Sequence, residues 1–263
     1  MTKLIVLLSF FVSAVGFAAA AKFDANEIMK RNDDAKRLSQ VQANAVLQTA
    51  SGSDTRVKKF TWWRKLGGDA IHYSILTRFH FPAEIKGEGI LFLEHANQDP
   101  DVQLYLPSYK KIRRVESSAQ SGSFMGSEFS YTDVLGGAVS DFKYLAKKDE
   151  TCAKVSCYVI EATPANDAVK ARAGFDKRVD WVQSDNFMIV ASEYYGADGK
   201  LRKKLQASQI VEVDAAHHKW MAEKLQMENI LTKKSTEIQF SEVEAMKVIS
   251  DTTFTTRNLE KGL

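Results

Sequence analysis

The sequence predicts a mainly β protein, a strongly curved antiparallel sheet with helical pieces on its concave side. Apolar and polar residues alternate in segment after segment. Ile71, Tyr73, Ile75 and Phe79 share one parity, and Phe187, Ile189 and Ala191 alternate with Met188, Val190 and Ser192. Met221, Leu225, Met227 and Leu231 oppose Lys224, Gln226 and Glu228. A period of two with one polar side means antiparallel strands with one solvated face. The breaks between these runs are hairpin breaks, at Gly67-Gly68-Asp69, Gly87-Glu88-Gly89 and Ala197-Asp198-Gly199-Lys200. The runs number about ten, the size at which a twisted sheet tends to curl.

In chain order, Lys3 precedes an apolar run from Leu4 to Phe17 that closes on Ala18-Ala19-Ala20-Ala21. This is the layout of a cleaved signal peptide over residues 1–21. The run is too short for a stable membrane anchor, which is the alternative reading. No Cys stands at the junction, so the mature chain is not expected to be a lipoprotein. Removing 21 of the 263 residues leaves 242, read as a single domain over 22–263 in the periplasm. Asp24 to Leu38 is the main helix, with Asp24 as N-cap and Ala25, Ile28, Met29 and Ala35 as its apolar stripe. Strands follow from Val41, with another break at Asn97-Gln98-Asp99-Pro100. Leu104-Tyr105-Leu106 and the segment Ser108 to Val115 read as two strands parted at Pro107. Ser121 to Ser127 is a small-residue loop holding Phe124 and Met125. Cys152 and Cys157, the two cysteines, stand in a turn leading into a strand. In an oxidising compartment they are expected to form a disulfide; a redox-active pair would have two-residue spacing at a helix start.

The formal charge of +3 falls to +2 without Lys3, too near neutral for a general nucleic-acid binder. The histidines, at 72, 80, 95, 217 and 218, lack the spacing of zinc ligands, so no metal is expected. Ser123 lies between Gly122 and Phe124-Met125-Gly126 but lacks the form of a nucleophile elbow; a hydrolase using Ser123 with His95 or His80 is the discounted reading. No catalytic residue, cofactor or enzyme activity is expected. Phe124 and Met125 admit two readings, core packing or a lid over a hydrophobic cavity. Lys110, Lys111, Arg113 and Arg114 form a basic strand, with Lys111 and Arg113 on one face and Lys110 and Arg114 on the other. Charges there either protect a sheet edge or, at Lys111, Arg113 and Arg114, contact anionic head groups or a partner protein. Trp62, Trp63, Trp181 and Trp220 are expected mostly in the core, although a curved sheet leaves room inside for a ligand.

The run from Leu104 to Leu135, LYLPSYKKIRRVESSAQSGSFMGSEFSYTDVL, resembles the signature of the outer-membrane lipoprotein-sorting family, the LolA-like periplasmic carriers. It departs from that pattern in having no Trp before Leu104, Glu128 in place of Asp, and Thr132 in place of Glu. Further segments are similar to family motifs in order and spacing: Phe79 to Gly87, Cys157 to Pro164, Glu193-Tyr194-Tyr195 with Gly199-Lys200-Leu201, and Phe254 to Leu259. The likeness runs from about Ala25 to Leu259. It implies an open half β-barrel with helices as a lid, and a carrier that holds the acyl chains of a lipid or lipoprotein. The cavity and lid residues it suggests are Phe79, Leu104, Leu106, Phe124, Met125, Phe129 and Tyr131. It further implies a monomer passing cargo from an inner-membrane resistance-nodulation-division exporter toward the outer membrane. A lipid-sensing regulatory module of the same fold is the alternative.

Overall fold

The computed structural model describes residues 23–96, 98–152, 155–245 and 247–261. The expected signal peptide, residues 1–21, lies outside the described residues. Fourteen strands form one antiparallel sheet. They are β1 (Gln40–Ser51), β2 (Asp54–Leu66), β3 (Tyr73–Phe81), β4 (Gly89–His95), β5 (Gln98–Leu106), β6 (Lys111–Arg114) and β7 (Phe142–Ala146). Then come β8 (Glu150–Cys152), β9 (Val155–Pro164), β10 (Lys177–Gln183), β11 (Ile189–Tyr195), β12 (Leu201–Asp214), β13 (Lys219–Asn229) and β14 (Ser235–Ala245). The spatial order is β6-β5-β4-β3-β2-β1-β14-β13-β12-β11-β10-β9-β7, with β8 added to β9. The sheet is not closed, because β6 and β7 stand at opposite ends of this order.

The count corrects the expected ten. Strands β6, β7 and β8 have four, five and three residues, too short for a period to be counted in sequence. The hairpin breaks hold: residues 67–69 part β2 from β3, 87–88 precede β4, and 197–200 part β11 from β12. Cys152 and Cys157 are disulfide-bonded across the β8–β9 hairpin.

Four helices complete the described chain: α1 (Ala25–Ala35), α2 (Tyr131–Leu135), α3 (Asp167–Ala173) and α4 (Thr256–Lys261). Asp24 caps α1 by accepting from the Glu27 amide at 2.8 Å, and Ala25, Ile28, Met29 and Ala35 are its buried stripe. The helix ends at Ala35 rather than Leu38, because Lys36 leaves helical geometry as its C-cap. Asn32, also buried, donates to the Phe187 carbonyl at 2.7 Å and ties α1 to the β10–β11 turn. Lys219 adds a bridge to Asp34 at 2.8 Å.

Two expectations about the sheet's faces change. The concave face carries the main core, including Val41, Ala43, Ala45, Leu47, Phe60, Ile75, Phe79, Phe92 and Ile238. The opposite face is not solvated everywhere. Trp63, Leu76 and Leu91 there are buried with Ile249, Phe254 and Leu259 of the C-terminal segment. Strands β3 and β4 carry apolar residues on both parities, so an outer cover is required, and α4 supplies it. The helical pieces are therefore not confined to the concave side. Ile71 and Leu231, placed by parity on inward faces, fall in turns and are exposed.

Candidate ligand cavity

Inward-facing residues of the curved sheet do not fill the space they enclose. The concave side holds a cavity of about 340 Å³, within the usual range for small-molecule sites. Its sheet wall includes Phe60, Trp62, Leu205, Leu225, Met227, Ile238 and Phe240. Trp62 and Phe240 pack ring to ring at 5.3 Å, on either side of the small residues of β1. Met29, Asn32, Asp33 and Lys36 of the α1 region line another side. Phe124, Phe129, Thr132, Asp133 and Val134 close it from the segment between β6 and β7.

That closing segment is tightly held. Phe124 is 1 % exposed and sits among the rings of Phe60, Phe79, Phe92 and Tyr131, at 5.9–6.5 Å. Met125 and Gly126 adopt positive φ of 53° and 74°, which turns the chain sharply behind Phe124. The Phe124 amide donates to the Phe129 carbonyl at 2.8 Å. Helix α2 begins with a capping box, in which Ser130 and Asp133 satisfy each other's backbone amides. Glu128 receives a bond from Asn229 at 2.8 Å, and its carbonyl accepts from Lys203 at 2.6 Å. Thr132 donates to the Arg172 carbonyl at 2.7 Å, which links α2 to α3.

Among the residues singled out from sequence, Phe124 and Phe129 line the cavity. Phe79, Leu104, Met125 and Tyr131 belong to the same core cluster but not to the lining. Leu106 belongs to neither group. In the basic segment, Lys110 is a left-handed C-cap and not a strand residue. Strand β6 lies at the sheet edge. Arg114 pairs with Asp101 at 2.6 Å, whereas Lys111 and Arg113 have no described ion pair. Ser123 donates to the Ser127 carbonyl at 2.6 Å. The histidines bond separately to Asp69, Thr61, Asp101, Asp214 and Glu212.

Sequence reasoning missed the cavity's charged residues. Arg64, Lys36 and Arg178 all line it. Arg64 follows Trp62 by two positions on β2, so simple parity points it inward. Its guanidinium lies 3.5 Å from the centroid of the Tyr73 ring. Burial holds the Lys36 ammonium below its ordinary pKa; Asp33 opposes that shift, and the Arg64 and Arg178 charges add to it. Arg178 donates through Nε to buried Asp180 at 2.8 Å, and Ser192 donates to the same carboxylate at 2.6 Å. Burial works against the Arg178 charge, but Asp180 together with Tyr194 and Tyr144 outweighs it and the pKa is raised.

An open antiparallel half-barrel, with an apolar cavity on its concave face under helical segments, defines a LolA-like fold. A family model with the description "uncharacterized protein" matches residues 73–261. A putative outer membrane lipoprotein-sorting protein domain from Vibrio parahaemolyticus superposes with a TM-score of 0.82 at 24 % identity, over 90 % of this chain and 98 % of that one. A DUF1329 family protein from Desulfovibrio piger gives 0.82 at 26 % identity, over 89 % and 97 %. A LolA superfamily protein from Nitrosomonas europaea gives 0.70 at 18 % identity, over 90 % and 99 %. No curated protein matches the sequence significantly. The chain belongs to the family that this model describes, and it shares the LolA-like fold of these solved structures. No helix among the described residues is long and apolar enough to cross a membrane.

Proposed function

We propose that this protein is a periplasmic carrier that shields the acyl chains of a lipid or lipoprotein and passes them between the inner and outer membranes. The observation that carries this reading is the cavity itself, walled by Phe60, Trp62, Leu225, Met227, Ile238 and Phe240 and closed by Phe124 and Phe129. Exposing a sixteen-carbon chain to water costs on the order of 12 kcal/mol, at about 0.8 kcal/mol per CH₂. Transfer through an aqueous compartment therefore needs an apolar enclosure. Its walls recognise length and bulk more than sequence, so binding tolerates varied cargo. The single domain follows a cleaved leader and works as a monomer. It receives cargo beside an inner-membrane exporter of the resistance-nodulation-division type. Lys111, Arg113 and Arg114 on the edge strand offer positive charge toward anionic head groups or the partner. The similar fold of the Vibrio parahaemolyticus protein, described as a putative lipoprotein-sorting domain, supports the same reading.

The test is extraction of protein purified from the periplasm, followed by mass spectrometry of whatever it retains. Stoichiometric lipid, reduced in Leu225→Trp because indole fills the cavity, is the expected result. Lipid-free protein that also fails to bind a fluorescent fatty acid would reject the carrier reading.

A further inference from the structure

The cavity's apolar walls explain chain binding but leave the donors of three lining cations, Arg64, Lys36 and Arg178, unused or only partly used. The Arg64 side chain, stacked on the Tyr73 ring, makes no described hydrogen bond or ion pair, and its Nε is buried without a hydrogen-bond partner. The Lys36 ammonium has its nearest described carboxylate, Asp33, at 3.9 Å, beyond hydrogen-bond reach. Arg178 uses Nε on Asp180, and its two terminal nitrogens have no acceptor among the described residues. All three line the same cavity, and Lys36 feels the charge of both arginines.

The nearby carboxylates are already engaged. Asp33 pairs with Arg37, and Asp133 is consumed by the α2 capping box. Asp180 accepts from Arg178 and Ser192, and Glu94 accepts the Tyr73 amide at 2.7 Å. Thus the lining offers surplus donors without surplus acceptors. The site is partly open, with Lys36 and Arg178 keeping 37 % and 19 % of their side-chain surface; charged donors desolvated there without a full set of acceptors are costly, and an oxyanion relieves that cost through charge-assisted bonds. The planar guanidinium suits carboxylate and phosphate alike, since both present two oxygens at its spacing.

We infer that Arg64, Lys36 and Arg178 form an oxyanion subsite inside the cavity, and that the cargo is an amphiphile with an acidic head seated there while its chain lies along the apolar wall. This rests on the carrier reading and adds to it a polarity: the charged end lies on the α1 side of the cavity, where Lys36 stands.

Titration calorimetry of the full mature chain with dodecanoate, dodecyl phosphate, dodecanol and inorganic phosphate tests it. The wild type should bind the two anionic amphiphiles at least about tenfold more tightly than dodecanol, the size of effect expected for one charged hydrogen bond. Arg64→Gln should lower anion affinity by about the same factor, with dodecanol unchanged and Arg64→Lys intermediate. Lys36→Gln should act in the same direction. Should Arg64→Gln not fold, the wild-type preference and Lys36→Gln still decide. Equal affinity of the wild type for dodecanoate, dodecyl phosphate and dodecanol overturns the subsite while leaving the carrier intact. Binding of no amphiphile overturns both. Inorganic phosphate binding as tightly as dodecyl phosphate overturns the lipid head group in favour of a free-phosphate site.

Discussion

The Arg78 guanidinium, on the outer face of β3, donates to the carbonyl of Leu259 at 2.9 Å and so fastens the end of the described chain to the middle of the sheet. A second donor reaches the Asn258 carbonyl, also at 2.9 Å, and the first also serves Gly87. Gly89 makes the approach feasible, since a Cβ there would stand 2.8 Å from Leu259 and 3.0 Å from Arg78. Arg78 is buried, so these bonds are shielded from water.

Arg78→Ala should therefore release α4. Losing charge-assisted bonds to buried carbonyls is worth about 2–4 kcal/mol of stability. The expected outcome is a lower urea midpoint together with rapid proteolysis around residues 247–261. A variant with wild-type protease resistance would show that Leu259 packing alone holds the segment.

Phe124 should behave as core. Phe124→Ala is expected to cost about 3–5 kcal/mol, the usual range for deleting a buried phenyl ring. Met125→Ser, at the partly exposed position beside it, should cost far less. Urea denaturation of both variants separates the readings left open by sequence. If Phe124→Ala retained wild-type stability while losing affinity for a fluorescent fatty acid, the ring would be a mobile gate and not a packed plug.

The edge strand offers a discrimination that sequence alone did not. Arg114 is tied to Asp101, whereas Lys111 and Arg113 are not in described ion pairs. The double change Lys111→Gln with Arg113→Gln should weaken flotation with anionic vesicles by roughly thirtyfold at low salt, at about 1 kcal/mol per charge. Arg114→Gln should have a smaller effect, and high salt should abolish the difference. Unchanged flotation with increased aggregation would instead assign these charges to edge protection.

Glu94 gives a pH signature. Burial raises its pKa above the ordinary carboxylate value; the Tyr73 amide, Arg64 and His72 only partly offset this, and Asp33 adds to it. The folded state thus holds the proton more tightly than the unfolded state. The stabilising effect is complete below the ordinary carboxylate value and is lost as pH rises through the raised folded value. Above the ordinary carboxylate value this tighter hold on the proton is a net cost to folding, so Glu94→Gln should melt above wild type at neutral pH and match it near pH 4, by scanning calorimetry. A difference independent of pH would exclude ionisation as its cause.

Much of the architecture was legible in Tyr73, Ile75 and Phe79, whose shared parity is realised on the concave face, and in Asp24, which caps α1 as its side chain allows. Two-faced burial was harder to read. Leu76 and Leu91 interrupt no pattern, because strands apolar on both sides look like any short hydrophobic run. Phe124 and Phe129 drew notice in the sequence because large rings in a small-residue loop are conspicuous, and both border the cavity. Arg64 was not. A lone arginine at the end of a tryptophan-rich strand reads as a solvated terminus; its parity with Trp62 points it inward, but only the tertiary curl brings it into one cavity with Lys36 and Arg178. Glu128 and Thr132, where the sequence departs from the family pattern, both hold the closing segment in place, a role that needs partners over thirty residues away and so leaves no local trace.

The pairing of β1 with β14 has a consequence for how the molecule comes into being. Gln42 meets Glu244 across this seam, side chain to side chain, at a separation of 202 residues. Every other neighbouring pair along the main strand path is close in chain order, so each half of the sheet can zip locally. The seam cannot. Until β14 has emerged, β1 presents an open edge, and long-range closure of this kind is slow because loop entropy must be overcome before contacts reward it. Closure of this seam is thus expected to come late, after each wing has paired locally. During that interval the inner wall is bare on both sides of the join, which makes the nascent chain most prone to self-association just before it is complete.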